Sequence, residues 1–295
     1  MRRVVTWLVA AVVAVSSCAA PSRESREVDI LASTSVWGSV ASAVGGDYVQ
    51  VRSIIDDPAQ DPHSYEASPA DAAAIADAKL VVYNGGGYDN FVEAVLRQNG
   101  SVSRIDAFTV GGHRQGDNPH VFYDLATVTG VADAIAERLA AVDPAHAADY
   151  RSNAQKFTAE VRAVEAAQRA VATAHPGAAA ISTENIAYYL ETATGLTDKT
   201  PQGYLSAVAA DADPPPVDIA AVLDVINSRD ARVVLFNPQT DTSVTRRIVD
   251  AANSAGVPVV EVRETLPAGT DFVAWQRRMV QQLSAALQAT DSNTP

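Results

Sequence analysis

Leu80-Val81-Val82-Tyr83-Asn84, closed by Gly85-Gly86-Gly87, is a short unbroken apolar run that ends in a turn. A run of this length without polar alternation is how a strand covered on both faces reads, and such strands belong to parallel sheets. Its counterpart in the second half of the chain is Arg232-Val233-Val234-Leu235-Phe236-Asn237. Outward from the first run, Val28 to Ala32 and Tyr48 to Ile55 read as strands, with a weaker one over Val102 to Ile105. Helices are expected after Ala32 through Val44, stopped by Gly45-Gly46, and from Pro69 to Ala78, with Ser68 as N-cap; another starts near Asp89. Outward from the second run, Ala178 to Ser182 and Val257 to Val262 read as strands. Glu184 to Thr194, Asp218 to Ser228, Ser243 to Ala255 and Asp271 to about Ala289 read as helices, and Asp211 to Pro216 as an exposed loop. Strands alternating with helices imply an α/β fold with mainly parallel sheets.

The middle of the chain differs. Leu125 to about Thr173 is Ala-rich and helical, divided by Pro144 into one helix ending near Ala141 and another running from Pro144 to about Ala174. His175-Pro176-Gly177 terminates the second. A helix of roughly 30 residues is about 45 Å long, enough to span two domains. The expected architecture is two Rossmann-like α/β lobes joined by one long rigid helix: residues 28–143, 144–175 and 176–295. Ligands in open α/β sheets bind beyond the C-terminal ends of the strands, so residues that follow strands carry the most functional weight.

Composition narrows the function. The 295 residues are 47% apolar, which excludes a wholly disordered chain. There are 35 acidic and 22 basic side chains, a formal net charge of −13; this argues against a nucleic-acid binder and suits a protein that collects cations. One cysteine excludes an intramolecular disulfide and a cysteine-built zinc ribbon. Met1-Arg2-Arg3 followed by the apolar Val4 to Val15 reads as a secretory signal, too short to span a membrane. Val15-Ser16-Ser17-Cys18 resembles the bacterial lipobox, so residues 1–17 are expected to be a signal peptide, Cys18 the lipidated residue and residues 18–27 the tether. The expected location is extracytoplasmic, anchored to the cell membrane, where the lack of ATP argues against kinases and ATP-driven enzymes.

Of the five histidines, two share a context. His63 lies in Asp61-Pro62-His63-Ser64-Tyr65-Glu66 and His120 in Asn118-Pro119-His120-Val121-Phe122-Tyr123-Asp124. In each, a polar residue and a stiffening proline precede the imidazole, between an expected strand and helix. Imidazole is the commonest neutral ligand of divalent transition metals. A third segment, Ile181-Ser182-Thr183-Glu184-Asn185-Ile186-Ala187-Tyr188-Tyr189-Leu190, places a carboxylate at a helix start. Taken alone, Glu184 reads as a helix cap or dipole partner.

With these stretches in order, the chain resembles the metal-binding solute-binding lipoproteins of ABC importers, the zinc and manganese receptors also known as the adhesin-like family. The resemblance rests on Asp61 to Glu66 with the helix from Pro69 and the strand Leu80 to Asn84, on Asn118 to Val121, and on Ser182 to Leu196. It implies two lobes about a rigid helix with one ion held between them. His63 and His120 would be the first two ligands; Glu184 would be the third, a position held by His in zinc-type members and by Glu in some manganese-type members; and an acid after the last strand would be the fourth. Glu264 matches that position best, with Asp271 and Asp241 as competitors. The chain departs from zinc-type relatives in having only the short Gly111 to Asp117 loop where they carry a His-rich one. His113 is read as a solvated loop residue, with minor metal recruitment as the alternative, and His146 and His175 as ordinary residues of helix boundaries.

Two imidazoles and two carboxylates suit Zn2+ or Mn2+ as the transported ion, with iron third; calcium and magnesium, which take oxygen ligands, are disfavoured. Two carboxylates also neutralise a divalent ion, which lowers the cost of burying it. Protonation of the histidines is expected to weaken binding near pH 6 and below. The implied partners are an ABC permease and the lipid bilayer, for a monomer that performs no catalysis. Two alternatives stand beside this reading. A receptor for a metal chelate or siderophore would want an aromatic cleft, in a chain only 6% aromatic. A His/His/Glu metallohydrolase would be suggested by a His-Glu-x-x-His segment, which does not occur. Surface adhesion is compatible with the receptor reading.

Overall fold

The computed structural model describes residues 28–292; the expected signal peptide, Cys18 and the tether lie outside the described residues. The first lobe contains β1 (Val28–Thr34), α1 (Ser35–Gly45), β2 (Val49–Ile55), α2 (Pro69–Asp77), β3 (Leu80–Tyr83), α3 (Asn90–Gln98), β4 (Arg104–Asp106) and the single turn α4 (Ala107–Val110). Two long helices follow, α5 (Leu125–Val142) and α6 (Ala147–Ala174). The second lobe contains β5 (Ala179–Ser182), α7 (Tyr188–Thr194), β6 (Thr197–Asp198), α8 (Gln202–Val208), α9 (Pro216–Asn227), β7 (Val233–Phe236), α10 (Ser243–Ala255), β8 (Val259–Glu261) and α11 (Phe272–Ser292).

Each lobe is one four-stranded sheet, ordered β2-β1-β3-β4 in the first and β6-β5-β7-β8 in the second. All pairings are parallel. The strand order reverses between β1 and β3 and again between β5 and β7, which puts a crevice at the C-terminal edge of each sheet. Both faces of each sheet are covered, and this is the physical reason for the continuous apolar runs. In β3, Leu80 and Val82 enter the large core with Trp37 of α1 and Ile135 of α5, whereas Val81 and Tyr83 meet Ile75 of α2 and Leu96 of α3. In β7, Val233 and Leu235 face that same large core, while Val234 packs with Val222, Ile226 and Ile248 of α9 and α10.

The large core is shared by the two lobes and by the long helix. Along α6 the buried positions are Tyr150, Ala154, Phe157, Val161, Val164, Gln168 and Val171, a stripe spaced three and four residues apart on one face. The helix runs for 28 residues, about 42 Å, and packs against α1 and α5 of one lobe and α7 and α11 of the other. Backbone polar groups also cross between the lobes: the Leu266 N–H donates to Ser35 Oγ and the Phe272 N–H to Ser39 Oγ. The lobes are thus locked along one side.

Several boundaries differ from expectation. Pro144–His146 forms a separate 3-10 turn, and α6 starts only at Ala147. Glu184 is extended, and the expected helix is a 3-10 turn at Asn185–Ala187 followed by α7. β6 and α8 carry no apolar pattern strong enough to announce them. No helix among the described residues is long and apolar enough to cross a membrane.

Candidate metal centre

Both Pro-His segments are built the same way. The Asp61 carboxylate accepts from the His63 N–H at 2.8 Å, and the Asn118 side-chain oxygen accepts from the His120 N–H at 2.9 Å. These are Asx turns, and they explain the polar residue two places before each histidine. The turns follow β2 and α4 and aim both imidazoles into the gap between the lobes. His63 Nε2 and His120 Nε2 lie 3.2 Å apart. Tyr88, buried in the first lobe, places its ring 4.9 Å from that of His63 and 5.6 Å from that of His120.

Asn118 does more than turn the chain. Its side-chain oxygen also takes the His120 Nδ1 hydrogen at 2.8 Å, and its amide nitrogen donates across the gap to the Asn185 carbonyl at 2.6 Å. That amide orientation assigns the hydrogen of His120 to Nδ1 and leaves a lone pair on Nε2. Asn84, just beyond β3, holds the same segment from below by donating to the Pro119 carbonyl at 2.7 Å. From the second lobe, the Tyr189 hydroxyl donates to the Asn118 carbonyl at 2.7 Å.

The carboxylates come from the second lobe. Glu264 follows β8 and is fully buried; its N–H donates to Gln239 Oε1 at 2.7 Å. Its Oε2 lies 3.2 Å from His63 Nε2 and 3.5 Å from His120 Nε2 but forms no well-directed hydrogen bond. Among the described residues, His63, His120 and Glu264 form the one group of three or more potential ligands whose donor atoms all fall within 4.8 Å of each other. Glu184 stands outside this triplet. Its side chain makes no capping bond, contrary to the simplest reading of a helix-start acid. Instead its Oε2 accepts from Asn237 Nδ2 at 3.0 Å, and that nitrogen also donates to Glu264 Oε1 at 3.2 Å. The two competitors are occupied elsewhere: Asp271 accepts from the Ala274 N–H, and Asp241 pairs with Arg246.

The charges in this cluster are strongly coupled. Burial by itself lowers the His63 pKa, but the adjacent Glu264 carboxylate, with Asp61 and Glu184, raises it to about 9. Burial raises that of Glu184 to about 8 against the Asn237 hydrogen bond. Glu264 is also pushed up by burial, yet the two imidazoles outweigh this and hold it far below the usual carboxylate range. A proton on His63 therefore sits within this cluster, facing Glu264.

Contrary to expectation, His113 is not a solvated loop residue. It is largely enclosed, with Nε2 3.0 Å from Thr127 Oγ1 and 3.2 Å from Asp124, and its ring packs 5.4 Å from that of Tyr189. His146 stacks on Tyr48 and pairs with Asp143; His175 pairs with Asp291. None of the three reaches the cluster. Asn237, Asn84 and Gln239 were not singled out by sequence reasoning. The available signal was position, since both asparagines immediately follow the central apolar strands.

The family described as "ZnuA: Zinc-uptake complex component A periplasmic" matches residues 30–286. Among curated proteins, the chain is 24% identical over 269 residues to the iron ABC transporter substrate-binding lipoprotein MtsA of Streptococcus pyogenes serotype M1, covering 84% of this chain and 83% of that one. It is 23% identical over 242 residues to the manganese-binding lipoprotein MntA of Bacillus subtilis strain 168, covering 78% of each. Among solved structures, the periplasmic zinc-binding protein TroA from Treponema pallidum superposes with a TM-score of 0.75 at 18% identity, over 88% of this chain and 99% of TroA, a likeness of fold.

Proposed function

This chain belongs to the ZnuA family of periplasmic zinc-uptake components, and from that premise we propose that it captures a divalent transition metal ion, zinc or manganese, between its lobes and delivers it to an ABC permease. His63, His120 and Glu264 bind the ion, and Glu184 completes the set. The observation that carries this reading is the triplet itself. Bonds of about 2.0–2.2 Å at the tetrahedral angle put ligand atoms about 3.3–3.6 Å apart, and the three donor atoms here are separated by 3.2, 3.2 and 3.5 Å. The buried Glu264 Oε2 accepts no well-directed hydrogen bond, so its lone pairs stay available to an ion, which supports the same reading. Relatives named for iron and manganese agree with a transition-metal cargo.

Four protein donors around one ion leave no coordination position for a substrate or an attacking water, so the chain binds and releases without turnover. A lipid on Cys18 tethers it outside the membrane as a monomer. Loading the metal-stripped protein with zinc or manganese in a calorimeter tests the proposal. One ion per chain with submicromolar affinity, abolished in His63→Ala and His120→Ala, is the expected result. Equal affinity in those variants would remove the site.

A further inference from the structure

The Asn237 amide touches both carboxylates at once. It is fully buried, and its nitrogen donates to Glu184 Oε2 and to Glu264 Oε1. The side chain is itself fixed: its oxygen accepts from the Gln239 N–H at 2.9 Å, and its backbone N–H donates to Thr183 Oγ1 at 3.1 Å. One oxygen of each acid is thereby engaged by the protein. For Glu264 the other oxygen, Oε2, is the one that faces the two imidazoles.

We propose that Asn237 is a specificity-determining residue: it holds each carboxylate of the second lobe to one available oxygen, builds a four-donor site, and thereby favours zinc over manganese. The inference rests on reading the cluster as the metal site. Zinc is satisfied by four donors in a tetrahedron. Manganese prefers oxygen-rich sites of higher coordination, which these residues could supply if the carboxylates bound through both oxygens. An oxygen already accepting from a fixed amide is poorly placed to become a second ligand atom. The intrinsic order of affinities favours zinc at any such site, so Asn237 acts by widening that preference, and the informative quantity is its change on substitution.

The test compares the wild type with Asn237→Ser, which retains a short side-chain acceptor for the Gln239 N–H but cannot donate to both acids. Asn237→Asp, of the same shape with no amide donor, is the second variant. Zinc and manganese dissociation constants are measured by competition, and cobalt(II) spectra report the coordination number. The wild type is expected to give the intense visible bands of four-coordinate cobalt. Both variants are expected to give the weaker bands of five or six ligands and to narrow the zinc-to-manganese affinity ratio about tenfold or more, the scale of effect typical of residues that orient ligands. A ratio unchanged in both variants, or a six-coordinate spectrum in the wild type, overturns the role of Asn237 while leaving the metal site standing. Failure of the wild type to bind any of the three ions overturns the metal site and this inference together.

Discussion

The two lobes have the same strand order and an asparagine at the same place, directly after the central strand, yet they use it differently. Asn84 accepts from the Trp37 indole and donates to the Pro119 carbonyl, so it braces backbone. Asn237 donates to two carboxylates, so it braces ligand side chains. The first lobe contributes imidazoles held by Asx turns, one of them with 38% of its side chain exposed. The second contributes buried acids. Repeating one topology gives two equivalent crevices, and the loops that fill them divide the labour: one lobe presents nitrogen at the solvent edge, and the other presents charge inside. A cation entering past His63 would meet the buried negative charge last.

That division can be broken from either side. The largest effect is expected from the first lobe: His120→Ala should lower metal affinity by more than about 100-fold, beyond what loss of a residue that merely orients a ligand costs. Circular dichroism should show the fold intact, because His120 sits in a loop at the edge of the core. Glu264→Gln attacks the second lobe and should also abolish tight binding. It should in addition lower the His63 pKa from about 9, since Glu264 is the main carboxylate opposing burial, while Asp61 and Glu184 remain. An NMR titration of the metal-free variant reads this directly.

The coupling between the lobes gives the next effect. With His63 titrating at about 9 and Glu184 at about 8, both carry protons at pH 7 that the ion must displace. Calorimetry in buffers of different ionisation enthalpy should find about two protons released per ion, with affinity falling up to about 100-fold per pH unit below neutrality. The metal-free chain should show the opposite trend in stability. His63 has a raised pKa, so its contribution is fully present below about 6.5 and lost as pH rises through about 9. Glu184, Glu191 and Asp89, raised to about 8, 7 and 6, bind protons more tightly folded than unfolded and so also favour the fold at lower pH. The melting temperature of the metal-free protein should fall between pH 6 and pH 9, and saturating metal should remove most of that fall. The smallest effect is Tyr123→Phe. Its buried hydroxyl donates to the Arg263 carbonyl and accepts from the Arg263 N–H, so its loss should cost about 1–2 kcal/mol in denaturant unfolding.

Much of the fold was legible because burial on both faces writes itself into the residues: Leu80 to Tyr83 and Val233 to Phe236 could be little else. β6, only Thr197 and Asp198, was illegible because its strand character comes from pairing with Ala179 and Ala180 rather than from its own residues. At the site, the two Pro-His segments announced themselves through their shared pattern. Glu184 read alone pointed to a helix cap, because sequence shows adjacency and not the amide 53 residues away that draws its carboxylate aside. Asn237 was illegible for the same reason, since its meaning lies wholly in two partners supplied by other loops.

The central claim is that residues from both lobes close on one ion, and zinc-edge X-ray absorption of the loaded protein tests it most directly. The account predicts two imidazole nitrogens and two carboxylate oxygens at about 2.0–2.2 Å. A first shell of oxygens alone, or one holding fewer than two imidazoles, would contradict it.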